Sequence, residues 1–348
     1  ATTLFTFPAG SNTRTELACA GNTVYAALGN TSAKIDAIAK STDGGANWTT
    51  TTLTTTNISD LNGIGQAWYS IGLGVDPGNP NNVMVGSLNI LKSTDGGATF
   101  SKITEWVGNS GQYVHADMHN ITWYDGGNKC LIGCDGGLFY TANGGTNFSD
   151  KNTGLRLKQF YSVAIHPTLT NYFLAGAQDN GTHQFNGAGL TSSVEVTGGD
   201  GAYVDIDQDQ PQYQFGAYIY NQYRRSTNGG ANWSSVNISS SAGEFINPFD
   251  YDDAGNIMYC CYSAGTYLRW DNPQTGNTTT TITLPTFGGT SFAEAITVSP
   301  YTANRVYFGT DNGKIIKVDN ANAATPTDVN ITPAGLTGFV NGIAVGSS

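Results

Sequence analysis

Charge is what this chain has least of: Asp, Glu, Lys and Arg make up 12% of its 348 residues. The 15 basic residues are outnumbered by 26 acidic ones, a net charge of −11. A nucleic-acid partner needs a basic stripe that displaces counterions from phosphate, and none is present. Anionic membrane surfaces are disfavoured for the same reason. No apolar run approaches the roughly 18 residues of a spanning helix, so no membrane insertion is expected. No helical period of useful length appears either. The 5 cysteines are too few for a disulfide scaffold and are not spaced as a zinc site. Cys130 and Cys134, four apart in an extended run, lie roughly 13 Å apart and cannot pair. Cys260 and Cys261 point to opposite faces of a strand; a single bridge involving Cys19 stays open. The chain starts at Ala1 and shows no signal peptide, which reads as the processed form of an exported protein.

What the chain has is 45 glycines, many short hydroxyl side chains, and 18 Tyr, 15 Phe and 6 Trp. Aromatics and β-branched residues in that number can build a large core of strands under a neutral surface. The dominant signal is internal repetition. Ser41-Thr-Asp-Gly-Gly-Ala-Asn-Trp48 recurs as Ser93–Phe100, Thr141–Phe148 and Ser226–Trp233. In each copy an acid or amide (Asp43, Asp95, Asn143, Asn228) precedes a Gly-Gly pair, and an aromatic (Trp48, Phe100, Phe148, Trp233) closes the turn. The acid or amide accepts nearby backbone amides, the glycines supply positive φ, and the aromatic tucks under the hairpin.

A second repeat precedes the turns: an alternating strand ending in Asp or Pro, a short turn, and another apolar strand. It is clear at 69–77 with 83–86, at 161–167 with 172–176, at 202–207 with 213–217 and at 295–300 with 305–309. It is looser at 120–125 with 129–133 and at 245–252 with 256–261. With a first unit around 16–28, seven units nearly exhaust the chain. The expected fold class is therefore all-β, a seven-bladed β-propeller of four-stranded antiparallel blades forming a single domain over residues 1–348. Two strands stand outside the seven units, Thr3–Phe7 and Phe339–Val345. They are expected to close the ring or to pair with another copy of the chain.

The most distinctive segment outside the repeats is 112–120, which contains His115, Asp117 and His119. If the segment is extended, alternation puts these three on one face. Two imidazoles and a carboxylate there form either a metal or acid–base site or a hydrogen-bonded knot. Further acids follow second strands at Asp135, Gln178-Asp179 and Asp311, and Asp200 precedes a first strand. Asp117, Asp135, Asp179, Asp200 and Asp311 could ring one mouth of a propeller channel. There they would bind Ca²⁺ or a ligand, or supply a glycosidase-like acid/base pair from Asp117, Asp135, Asp179 and Asp200. The alternative is that Asp-Gly and Asp-Asn-Gly simply make hairpin turns.

The repeated octapeptide resembles the Asp-box, or BNR repeat, of sialidases, sortilin-type receptors and xyloglucanase-type propellers, where it joins the third and fourth strands of each blade. The order of the His115–His119, Gly133–Gly137, Lys158–Ala164, Gly176–Thr182 and Gly199–Gly201 segments is similar to that of exported BNR-repeat propellers. The resemblance covers roughly residues 14–345 and implies a seven-bladed fold at the cell surface or outside the cell. It does not extend to sialidase chemistry. Three converging arginines and a Tyr nucleophile are needed there, and no Arg-Ile-Pro-like segment opens the chain. A Gly-x-Ser-x-Gly elbow for a serine hydrolase is also absent. The Thr-rich runs at 49–56 and 278–281 read as exposed outer strands that could carry O-glycans. The expected function is a non-catalytic extracellular propeller that binds a glycan or a surface protein, including copies of itself. The alternative is a glycoside hydrolase acting on a polysaccharide through carboxylates at the channel mouth.

Overall fold

The computed structural model describes residues 11–346 except 64, 109–111, 156 and 188–191. The chain divides into two compact units, Ala1–Leu157 and Lys158–Ser348. The first holds three four-stranded sheets. One is built from β1 (Ser11–Ala20), β2 (Thr23–Asn30), β3 (Ile35–Ser41) and β4 (Thr49–Thr52). The next is built from β5 (Gly72–Val75), β6 (Val83–Gly86), β7 (Ile90–Ser93) and β8 (Ser101–Lys102). The third is built from β9 (Met118–Tyr124), β10 (Lys129–Cys134), β11 (Gly137–Thr141) and β12 (Ser149–Asp150).

The second unit holds four sheets. They comprise β13 (Ser162–Ile165) to β16 (Val194–Thr197), with β14 (Phe173–Ala177) and β15 (Gly181–Phe185); and β17 (Val204–Ile206) to β20 (Ser234–Ser239), with β18 (Gln214–Ala217) and β19 (Asn221–Ser226). The last two are β21 (Phe249–Asp252) to β24 (Thr278–Thr283), with β22 (Ile257–Cys261) and β23 (Thr266–Asp271); and β25 (Ala293–Val298) to β28 (Thr327–Asn330), with β26 (Val306–Thr310) and β27 (Ile315–Asp319). Every sheet is a meander of consecutive antiparallel strands. The fold class is a seven-bladed β-propeller.

The core lies between successive blades of each unit, because a twisted four-stranded sheet has two apolar faces to cover. Tyr25, Ile38, Leu73, Val83 and Val85 pack between the first two blades, and Met84, Met118, Ile121, Ile132 and Phe139 between the second and third. In the second unit Phe215, Tyr223, Phe249 and Trp270 fill one interblade layer, and Tyr259, Tyr267, Phe287 and Phe308 another.

All four octapeptide repeats join the third strand of a blade to the fourth. In the first copy Asp43 Oδ1 accepts the Asn47 amide at 2.8 Å, and the Trp48 indole donates to the Gly45 carbonyl at 2.9 Å. The hydroxyl that opens the motif does at least as much. Ser41 Oγ donates to Asp43 Oδ1 at 2.8 Å and accepts the Gly45 amide at 2.9 Å, and Ser93, Thr141 and Ser226 repeat that pattern. Gly44 and Gly45 sit at φ of 73° and 96°, conformations that L side chains rarely adopt. The first glycine of every copy also donates its amide to the turn between the first two strands of the same blade, on Asn22, Asn81, Asn128 or Gln212. The motif is thus a clip between the two hairpins of one blade.

In two copies the residue before the motif reaches the next blade. Lys92 Nζ donates to the Gly144 carbonyl at 2.7 Å, and Arg225 Nη1 donates to the Pro273 carbonyl at 2.7 Å. A cation that saturates main-chain carbonyls of the neighbouring turn fixes one blade against another.

Two expectations are corrected. Phe339–Val345 is not a strand; it runs irregularly beside its own last blade, with the Val340 amide on the Thr310 carbonyl at 3.1 Å and Thr297 Oγ1 on the Ile343 carbonyl at 3.1 Å. Thr3–Phe7 lies outside the described residues. A short helix, α1 (Thr55–Asn62), follows β4 where no helix was expected. Its sequence has little amphipathic pattern, and it is held by a Thr54 cap on the Asn57 amide and by buried Asn62, which bonds Ile35 through both its amide oxygen and its amide nitrogen. All five cysteines are free thiols.

Candidate functional site

The first unit gathers part of the expected constellation around the loop between α1 and β5. Strand β9 begins only at Met118, and Asp117 has a left-handed φ of 62°. The alternation that would put His115, Asp117 and His119 on one face therefore does not hold. His115 turns over Gly136 instead, where a Cβ would collide with its ring. His119 and Asp135 do meet: His119 Nε2 lies 2.7 Å from Asp135 Oδ1. The other carboxylate oxygen, Oδ2, accepts the Tyr69 hydroxyl at 2.6 Å, and the Tyr69 ring stands edge-on to His119 at 4.9 Å. Asp117 accepts the Gln66 side-chain amide and, through its carbonyl, the Asp135 amide at 3.3 Å.

The sequence reading did not select Gln66 and took Tyr69 as the start of a strand, but that strand begins only at Gly72, and both residues belong to an irregular loop of a different blade. Beside them Trp68 is 64% exposed, with its ring 5.6 Å from that of Tyr69. The indole face, the phenol and the Asp135 carboxylate together offer an apolar platform edged by hydrogen-bonding groups.

In the second unit the expected acids shape turns. Asp179 has a φ of 60°, and its amide donates to Asp200 Oδ1 at 3.1 Å; Gln178 Oε1 accepts the Tyr161 hydroxyl at 2.8 Å. Asp311 follows β26, where its amide meets the Phe292 carbonyl at 3.2 Å, and its Oδ1 is buried without a hydrogen-bond partner. Burial first, and the Asp311 charge second, raise the Glu244 carboxyl above its ordinary range; burial, then Glu244 and Asp311, do the same to Glu294. The structure thus joins Asp179 to Asp200 and sets Asp311 among two glutamates that the sequence reading did not select.

A further acid group was missed altogether. Asp205 and Asp250 sit mid-strand in β17 and β21 and, with Gln208, Asp253, Tyr251 and Tyr301, line a cavity of about 710 Å³. Burial pushes the Asp250 and Asp253 carboxyls up to about 6. The Asp205 carboxyl is also raised well above its ordinary range, first by burial and then by the Asp250 charge. Two hydrogen bonds oppose this at Asp250: its Oδ2 accepts the Val298 amide at 2.6 Å and its Oδ1 accepts the Tyr251 amide at 3.1 Å. The signal was present in the sequence as single acids between apolar residues, Val204-Asp205-Ile206 and Phe249-Asp250-Tyr251. Neither acid follows a turn motif, so the repeat pattern drew attention elsewhere.

No family profile matches the chain, and no curated protein matches it. Solved structures do. YCF48 from Cyanidioschyzon merolae is 13% identical, with a TM-score of 0.40, and the match covers 77% of this chain and 87% of that one. The GH74 xyloglucanase from Xanthomonas campestris is 13% identical, with a TM-score of 0.32, covering 85% of this chain and 50% of that one. The GH74 enzyme of Niastella koreensis is 13% identical, with a TM-score of 0.31, covering 91% of this chain and 78% of that one. The chain spans about half the length of the Xanthomonas protein. The fold class rests on the seven four-stranded sheets of this chain itself.

Proposed function

We propose that this protein is a non-catalytic binding propeller that works outside the cell or at its surface and recognises glycans through the Trp68–Tyr69 platform. The carrying observation is Trp68, whose large apolar side chain is 64% exposed beside a Tyr whose hydroxyl is fixed on Asp135. A sugar offers an apolar C–H face and a rim of hydroxyls. An exposed indole receives the first, and carboxylate, imidazole and amide groups receive the second. The low-charge, hydroxyl-rich surface suits a neutral polymer. A cation at His115, Asp117 and His119, with Ca²⁺ the expected ion, would have to displace Gln66 from Asp117 and Asp135 from His119. This reading therefore gives those groups to glycan recognition.

The test is affinity electrophoresis of the wild type and Trp68→Ala through gels containing soluble polysaccharides. Retardation of the wild type that is lost in Trp68→Ala supports the reading. Equal mobility of both proteins in every gel refutes it. Self-association in a surface assembly belongs to the same proposal and is read by sedimentation velocity.

One observation favours a second reading, glycoside hydrolysis. Asp250 and Asp253 are held near pH 6 in a cavity that also takes Asp205, so a protonated acid and a charged base could coexist there near neutrality. Release of reducing ends from the same polysaccharides, abolished in Asp250→Asn, would establish it.

A further inference from the structure

The first unit carries a cavity that shares no residue with the glycan platform. It lies where β7, β8 and the segment after β8 face the Gly144–Thr146 turn of the third blade. Its volume is about 450 Å³, within the roughly 300–1,000 Å³ of small-ligand pockets. Ile103 makes an apolar floor: it lies so close under the turn that a Cβ on Gly145 would come within 2.8 Å of Ile103 Cδ1. The floor is pinned, because the Ile103 amide donates to the Ile90 carbonyl at 2.9 Å and Thr104 Oγ1 accepts the Ile90 amide at 2.7 Å. Two lysines line this space. Lys92 Nζ uses one N–H on the Gly144 carbonyl, and an ammonium has three donors, so two remain. Among the described residues, no carboxylate forms an ion pair with Lys92. Lys102 does have partners, Glu105 Oε1 at 2.7 Å and Asp60 Oδ1 at 3.4 Å. Glu105 is the one acid in the lining, so the lining carries a net charge of +1 in a chain of net −11. The cavity of about 710 Å³ in the second unit has the opposite character, with five aspartates and neither lysine nor arginine. The two cavities therefore select ligands of opposite charge.

We propose that the Lys92–Lys102 cavity is a binding subsite for a sugar that bears a carboxylate, a uronic acid. Its carboxylate accepts the two remaining Lys92 donors in charge-assisted hydrogen bonds. The Gln112 side chain and the Thr146 hydroxyl, both exposed at the rim, meet ring hydroxyls, and the C–H face of the ring covers Ile103. A lining of +1 balances a monoanion. A dianion such as a phosphate monoester would leave uncompensated negative charge on a chain that already carries an excess of it. The subsite works with or without the Trp68 platform.

Ligand-observed NMR titrations of the full chain with galacturonate and galactose at pH 7 test it. Galacturonate is expected to bind at least about tenfold more tightly than galactose, the effect of one charge-assisted bond. Lys92→Met should remove that advantage. Glu105→Gln, at an exposed residue, raises the lining to +2 and should tighten galacturonate about threefold. Lys92 also ties the third blade, so Lys102→Met is the second variant should Lys92→Met fail to fold; it takes the lining to zero and should weaken galacturonate about threefold. Equal affinity for the two sugars overturns the proposal, and so does galacturonate binding that is unchanged in Glu105→Gln and in a folded lysine variant. Trp68→Ala should leave galacturonate binding intact; its loss there would put the sugar on the platform and overturn the subsite. Absence of galacturonate binding overturns the subsite alone, because the platform is judged by its own gels with neutral polysaccharides.

Discussion

Replacing Ser93 by Ala removes one oxygen and tests the account of the repeated clip. Ser93 is 1% exposed. Its hydroxyl accepts the Gly97 amide at 2.8 Å and the Asp95 amide at 3.3 Å, and donates to Asp95 Oδ1 at 2.7 Å. Alanine takes away the acceptor that the buried Gly97 N–H uses. A buried amide left without a partner costs about 1–3 kcal/mol. Taking about 2 kcal/mol, a chain of 348 residues should melt about 3 °C lower. Circular dichroism melts of the wild type, Ser93→Ala and Thr94→Ala measure it. Thr94 is exposed and stands next in the same turn, so its variant should melt with the wild type. A Ser93→Ala midpoint within about 1 °C of the wild type would refute the claim that the hydroxyl, and not only the acid two residues on, holds the turn.

Two further outcomes are expected. Asp250 and Asp253 have folded-state pKa values raised to about 6, above the ordinary carboxylate value of 3.8, so the folded chain binds their protons more tightly than the unfolded chain does. The stability they contribute is full below about pH 4 and is lost as pH rises through about 6. Asp250→Asn should therefore flatten the fall in melting temperature between pH 4 and 7, and an unchanged pH profile would count against the burial argument. Lys92→Met keeps most of the aliphatic stem but deletes the bond to the Gly144 carbonyl, so it should lower the urea midpoint without changing the slope; an unchanged midpoint would show that the bond adds nothing to interblade stability.

By itself the sequence determined the blade. Strand alternation, the period near 50 residues and the Gly-Gly turns are local properties: side-chain direction and positive φ depend on a few adjacent residues. That is why strand pairs were legible at 69–77 with 83–86 and, more loosely, at 245–252 with 256–261; the observed strands, Gly72–Val75 with Val83–Gly86 and Phe249–Asp252 with Ile257–Cys261, lie inside them. The same local reading failed where the backbone leaves its regular path. Asp117 adopts a left-handed conformation, which breaks the alternation that had aligned it with His115 and His119. Alternation also suggested a terminal strand at Phe339–Val345, but a strand exists only where a neighbour pairs its amides, and there just scattered contacts do so. Tertiary structure alone decided which side chains meet: Tyr69 and His119 on Asp135, Asp205 and Asp250 along one cavity. His119 and Asp135, 16 positions apart, are joined by strand pairing within one blade, whereas Tyr69 and Asp135, 66 apart, and Asp205 and Asp250 meet only because blade packs on blade. The raised carboxyl pKa values depend on that packing too, because removal from water, not residue type, pushes them up.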